Sequence, residues 1–154
     1  MNALSTVADS IFSTSPAALQ SRFGLPLTEI LLESYACALK QKNSILLQGR
    51  IYVFPHHIGF SCDLIGQTRT ISLNFSEIAA IKKAKTVIFV PNAIEIITTD
   101  DERYVFASFL YRNEAFRMMH NLWAIAKGIA AFQDRLATTI SQAPVSLLVF
   151  VASK

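Results

Sequence analysis

The sequence is short of charge, of cysteine and of glycine, and each shortage removes a class of protein. Charged residues make up 16% of the chain, below the quarter typical of soluble domains. The net charge is +3 and the Lys and Arg residues are scattered apart from one tight cluster, so the dense basic stripe of a nucleic-acid binder is missing. Two cysteines, Cys37 and Cys62, without a Cys-x-x-Cys or Cys/His spacing, exclude a disulfide scaffold and a zinc or redox motif. Both sit in apolar, strand-like surroundings and read as buried, reduced thiols. With five glycines in all, Gly49-Arg50 lacks the other glycines and the Lys-Ser pair of a phosphate loop. No apolar run reaches the eighteen or so residues that cross a bilayer; the best, Val145 to Ala152, is far too short. Met1 to Thr14 has no basic residue and no signal-peptide core, which reads as an intracellular chain. Catalytic groupings are missing too. His56 and His57 are adjacent and would diverge in a strand, and His120 stands alone in its segment. Asp100-Asp101-Glu102 lacks the alternation and bend glycine of a calcium loop. No catalytic residue, metal ligand or cofactor site is assigned.

What is present is apolar material in short, strand-like lengths. At 154 residues and 52% hydrophobic content, the chain has the size of one domain and can bury about two-thirds of its unfolded surface. Residues 1–14 are Ser/Thr-rich and aperiodic, a disordered leader. Ser15-Pro16 pairs an N-cap with proline at the first helical position, and Gly24 before Leu25-Pro26 is a stop, predicting a helix over Pro16–Phe23. Strand-like segments follow at 30–39, 45–54, 57–62, 70–75, 78–90, 93–97 and 103–109, separated by polar, Pro or Gly breaks. Thr70, Ser72 and Asn74 alternate with Ile71, Leu73 and Phe75, marking a half-buried strand. The loop Asp63–Gln67 carries Leu64 and Ile65 at its tip; they either fold back onto the core or enter lipid or a partner. From Asn113 the period becomes helical, with Ala115, Phe116, Met119, Leu122, Trp123 and Ala126 on one stripe, a core-facing helix to Lys127 with Trp123 inward. Gly128 reads as its stop. Residues 128–154 form an extension without an assigned role, in which Ile129, Phe132, Leu136 and Ile140 keep helical spacing.

The stretch Lys82–Ile97 holds three lysines in four residues, an apolar β-branched run, a break at Pro91-Asn92 and a second strand. Such a cluster either blunts a sheet edge or meets an anionic partner.

The order of these signals resembles the GRAM domain, a member of the pleckstrin-homology-like superfold. The matching residues are Phe23-Gly24-Leu25-Pro26, Tyr35 to Leu39, Leu46-Leu47-Gln48-Gly49-Arg50-Ile51-Tyr52, Lys85-Thr86 with Pro91-Asn92-Ala93-Ile94-Glu95-Ile96, Phe106 to Phe109 and Glu114-Ala115-Phe116. The likeness covers about Arg22 to Trp123 and is nearest to GRAM domains that precede a lipid-transfer domain at membrane contact sites. It departs at Gly59-Phe60-Ser61-Cys62-Asp63, where Asp63 adds a negative charge. It departs again before the helix, where Tyr111 replaces a capping serine and Asn113 is expected to cap instead. The resemblance implies a mainly β fold of seven antiparallel strands, a sandwich or partly open barrel built as two near-orthogonal sheets and closed by a C-terminal helix. Residues 15–127 form that domain, and the chain reads as the module alone.

The function expected from the resemblance and the residues together is non-catalytic: binding of anionic lipid, a phosphoinositide or phosphatidylserine, at the cytosolic face of an intracellular or plasma membrane. Lys40, Lys42, Lys82, Lys83 and Lys85 supply charge, Leu64 and Ile65 apolar insertion. Arg50 is either a further lipid contact or a structural ion-pair partner. The alternatives are a protein-interaction module of the same superfold, or a regulatory fragment of a lipid-modifying or lipid-transfer protein. Nucleic acid is not an expected partner.

Overall fold

The computed structural model describes residues 15–86 and 90–144. The expectations of a disordered leader over 1–14, of strand over 87–89 and of an apolar run over 145–151 lie outside the described residues. Helix α1, Pro16–Phe23, begins as its sequence predicts: Ser15 Oγ accepts from the Ala18 N–H at 3.2 Å, one of the donors a helix start leaves unpaired. It ends at Gly24, whose φ of 64° puts it in the left-handed region that glycine enters without penalty.

Seven antiparallel strands follow among the described residues: β1 Glu33–Lys40, β2 Leu46–Val53, β3 His57–Leu64, β4 Gln67–Asn74, β5 Ile78–Thr86, β6 Val90–Thr98 and β7 Arg103–Ala107, with a 3₁₀ turn at Phe75–Glu77 between β4 and β5. They hydrogen-bond in the order β4-β3-β2-β1-β7-β6-β5. The two sheets implied by resemblance are thus one ladder with a narrow seam, because β1 pairs with β2 along its whole length but with β7 only over Ala38–Lys40. Among the described residues, β4 and β5 are the two ends of this ladder. Period-two alternation turns Tyr35, Cys37 and Leu39 of β1 inward and leaves Ala36 and Lys40 exposed. The inner faces share a core with Ile51, Phe60, Phe75, Ile94, Ile96 and Phe106.

Two glycines mark close approaches. A Cβ on Gly49 would lie 2.3 Å from the Ser61 carbonyl oxygen and 2.8 Å from Cys62 Cβ, at the point where β2 leaves its pairing with β3, which runs only from Arg50 to Val53. On the outer face, the Phe23 ring of α1 lies on Gly59, whose Cβ would come 2.8 Å from it. Phe23 also meets Tyr52 and Phe54, at ring-centre distances of 5.5 and 6.0 Å. This small outer cluster docks α1 and explains why Ile58 to Cys62 of β3 is buried on both sides.

Helix α2 runs over Arg112–Gln142 and differs from expectation at both ends. It starts at Arg112 with Tyr111 as a cap that makes no side-chain bond. Asn113 does not cap; its Oδ1 accepts from Arg112 Nε at 2.9 Å. Arg112 Nη1 donates to the Ala84 and Ala93 carbonyls at 3.3 Å each, pinning the helix start to β5 and β6. Gly128 does not stop the helix. A glycine costs only about 1 kcal/mol against alanine, and the next breaker is Pro144. Ala115 and Met119 are fully buried against the sheet, and Trp123, half-buried, donates from Nε1 to the Ile78 carbonyl at 2.8 Å.

Candidate functional site

The register brings the β1–β2 loop and the β6–β7 turn to one end of the sheet, where they and β4 enclose an open groove of about 930 Å³. Lys40, Gln41, Lys42 and Asn43 form one wall, Asp101, Glu102, Arg103 and Tyr104 another, and Arg69 of β4 the third. Four cations therefore meet two carboxylates, with Arg103 Nη1 also paired to Glu95 Oε1 at 3.4 Å, outside the groove. Arg69 points to the inner side with Ile71 and Leu73, opposite Cys62, and is exposed because the core has ended at that level. The β6–β7 wall is held by Thr98, buried, whose Oγ1 donates to the Asp100 carboxylate and accepts from the Glu102 N–H at 3.1 Å. Tyr104 donates to Glu102 Oε2 at 2.6 Å. That bond to a carboxylate, helped by burial, pushes the phenol up to about 12 against a smaller opposing pull from Arg69, so Tyr104 remains a neutral donor.

Next to the groove stands the β3–β4 hairpin. The expected loop Asp63–Gln67 contracts to a two-residue turn, Ile65-Gly66, with φ of 46° and 75°. Of the two outcomes open from sequence, Leu64 and Ile65 do not fold back: they are 47% and 98% exposed. Positive φ is unfavourable for a β-branched residue, and nothing in the core compensates. Arg69 lies two residues along β4 from Gln67, roughly 7 Å of strand, so the bared aliphatic tip and the cationic groove share one end. Asp63 is occupied locally, accepting from Thr68 Oγ1 at 2.8 Å.

The remaining expected site residues separate. Arg50 lies on the outer face of β2, and its Nη2 donates to the Ser34 carbonyl and Oγ at 3.3 and 2.9 Å, a carbonyl and a hydroxyl in place of the acid of an ion pair. Lys82 and Lys83 diverge on β5: Lys82 is opposite Glu95, while Lys83 Nζ sits 5.1 Å above the Phe116 ring of α2. Lys85 follows on the same strand. The groove's Arg69 and Arg103 escaped the sequence reading, since each is a lone cation in a strand pattern and only long-range pairing brings them to Lys40 and Lys42.

His56 and His57 also behave otherwise than expected. Pro55 and His56 form the bend before β3, so His56 is outside the strand and both imidazoles converge on one buried carboxylate, Glu29. His56 Nδ1 contacts Oε1, His57 Nδ1 contacts Oε2 at 3.1 Å, and the His56 N–H donates to Oε2 at 3.1 Å. Burial pushes the Glu29 carboxyl up, but these bonds outweigh it and hold the group below its ordinary value. The cluster clasps the segment before β1 to the β2–β3 bend. Cys37 and Cys62 are free and buried, Cys37 pushed up to about 12 by burial.

Residues 18–127 match the family model described as the GRAM domain. The chain belongs to the GRAM domain family. It is 44% identical over 101 residues to Protein VASCULAR ASSOCIATED DEATH 1, chloroplastic, of Arabidopsis thaliana, a match covering 66% of this chain and 16% of that protein. It is 39% identical over 99 residues to human Protein Aster-A, covering 64% and 13% respectively. The matched region thus spans about one-sixth and one-eighth of these relatives. In fold, the GRAM domain resembles the DH/PH domains of PDZ-RhoGEF crystallised with activated RhoA, with a TM-score of 0.55, 12% identity, and coverage of 75% of this chain and 35% of that one. The architecture is pleckstrin-homology-like. Its family model ends at residue 127 while α2 continues to Gln142.

Proposed function

We propose that this GRAM domain is a non-catalytic membrane-targeting module that binds an anionic phospholipid headgroup in the groove through Lys40, Lys42 and Arg69 while Leu64 and Ile65 enter the acyl boundary. One observation carries the reading: cations and a strained, fully bared isoleucine meet at one end of the sheet. Anionic surfaces attract each nearby Lys or Arg by about 1 kcal/mol, and an aliphatic tip adds affinity only where it leaves water. The carboxylates of Asp101 and Glu102 on the same rim oppose a ligand bearing phosphates alone. They suit a headgroup that also carries an ammonium, which favours phosphatidylserine over a polyphosphorylated inositol. Lys82, Lys83 and Lys85 lie on a separate strand and act through the field of the module. Arg50 is left out of the site because its guanidinium is tied to Ser34. The membrane served is the cytosolic face of an intracellular or plasma membrane.

Vesicle co-sedimentation tests this. Lys40→Gln, Lys42→Gln and Arg69→Gln combined should weaken binding to phosphatidylserine vesicles by roughly a hundredfold, at about 1 kcal/mol per cation. Raising the salt from about 0.1 M to about 1 M should do likewise, because the Debye length shortens from about 10 Å to about 3 Å. Equal binding by folded variant and parent at low salt would remove the groove from the site and leave a protein partner as the better reading.

A further inference from the structure

Beyond Lys127, helix α2 leaves the body of the domain: every residue from Gly128 to Gln142 is exposed. Along it runs an apolar stripe of Ile125, Ile129, Phe132, Leu136 and Ile140, each between 47% and 59% exposed. At 100° per residue these five lie within an arc of about 80° and span about 22 Å. The opposite face and its borders carry Thr138, Ser141 and Gln142 together with Lys127, Asp134 and Arg135, the ionisable side chains between 125 and 142, whose charges sum to +1.

We propose that this half of α2 lies on a bilayer as an amphipathic helix that enters gaps between headgroups, a second membrane contact that reads exposed acyl chains and not charge. The inference rests on the membrane reading above. The charge pattern selects the occupant. A helix that binds acidic surfaces carries Lys and Arg along its polar face, whereas here Asp134 offsets one of two cations, and one that pairs with a second copy carries complementary charges beside the seam, whereas Ala126, Gly128 and Gln133 flank this stripe with Arg135 the single charge near its edge. Area argues the same way. The five half-exposed side chains offer on the order of 500 Å², short of the roughly 800 Å² per partner of a stable dimer. For a membrane-surface helix, binding follows apolar area and depends on curvature and lipid packing. Spanning is not at issue, since no described helix is long and apolar enough to cross.

The test uses the full chain and small, highly curved vesicles of neutral phosphatidylcholine with monounsaturated chains, beside flat acidic vesicles. The parent should bind the small neutral vesicles equally at about 0.1 M and about 1 M salt. Ile129→Ser with Leu136→Ser, both remote from the core, should lose about tenfold or more of that binding, while Ile129→Leu with Leu136→Ile should keep it. Binding to acidic but not to small neutral vesicles overturns the helix inference and leaves the groove standing. Binding to neither overturns both. A parent dimer that sedimentation shows dissolving in the serine variant assigns the stripe to a second copy and overturns it as well.

Discussion

Ile65→Asn separates what the fold prefers from what the proposed function requires. Ile65 holds φ at 46° in a two-residue hairpin with Gly66 at 75°, the arrangement for which Asn-Gly is the favoured pair. An L-residue in the left-handed region is strained by roughly 1–2 kcal/mol, least for Asn and most for a β-branched side chain. The residue is 98% exposed, so replacing it removes no core packing. The hairpin should gain about 1 kcal/mol, raising the melting temperature by about 2–4 °C for a domain of this size. Burying an isoleucine in an apolar medium is worth about 1.5–3 kcal/mol. A tip that enters only the boundary region realises part of this, so vesicle affinity should fall by about 1 kcal/mol or slightly more, roughly five- to tenfold. Urea unfolding and vesicle co-sedimentation on one preparation read both quantities. A less stable variant would refute the strain argument, and a more stable variant that binds as well as the parent would take Ile65 out of the membrane.

Other sites yield sharper tests of the fold. Gly49→Ala would set a methyl 2.3 Å from the Ser61 carbonyl oxygen, backbone that cannot swing aside, and should cost about 3 kcal/mol in urea unfolding; wild-type stability would mean that β2 and β3 part there freely. Gly59→Ala meets the Phe23 ring, a side chain that can move, so it should cost less and expose the linker after α1 to protease. Glu29 titrates below its ordinary value near 4.5 when folded. Its stabilisation is therefore complete above that value and lost as pH falls through the lower folded one. Glu29→Gln should cost about 1.5–3 kcal/mol near neutral pH through the weakened charge-assisted bonds and flatten the loss of stability as pH falls below the ordinary carboxylate value. Parallel acid profiles for the two proteins would show that His56 and His57 do not stabilise the carboxylate.

How much was legible in the sequence follows from how local each signal is. Helix α1 was read residue for residue, because Ser15, Pro16 and Gly24 act on their own neighbours. The alternation of β4 and the inward stripe of α2 were equally visible, since a period of two or 3.6 needs no partner to be recognised. Gly128 looks like a stop, but one glycine is a weak breaker: the helical spacing of Ile129, Phe132, Leu136 and Ile140 continues past it, and the absence of proline until Pro144 decides the length. The seam between β1 and β7 joins residues nearly seventy positions apart, Leu39 with Phe106 among them, and no periodicity encodes such a pairing.

The same distinction explains the site. Lys82 and Lys83 look like a patch because they are adjacent in sequence, yet in a strand adjacency sends side chains to opposite faces; one is placed opposite Glu95, the other over Phe116. Arg69 and Arg103 look isolated, yet the ladder brings them to the groove lined by Lys40 and Lys42. A charge cluster on a β chain is therefore set by register across strands, and sequence neighbours at a sheet edge are weak evidence for a shared ligand. His56 and His57 show the converse, because the bend at Pro55 removes one of them from the strand and lets neighbours converge on Glu29. Leu64 and Ile65 needed the turn itself: only a two-residue hairpin with both φ values positive forces the aliphatic tip outward. Ile65 thus carries backbone strain that Asn would relieve, at a position whose side chain is almost wholly exposed, and strain of this kind clusters at functional sites.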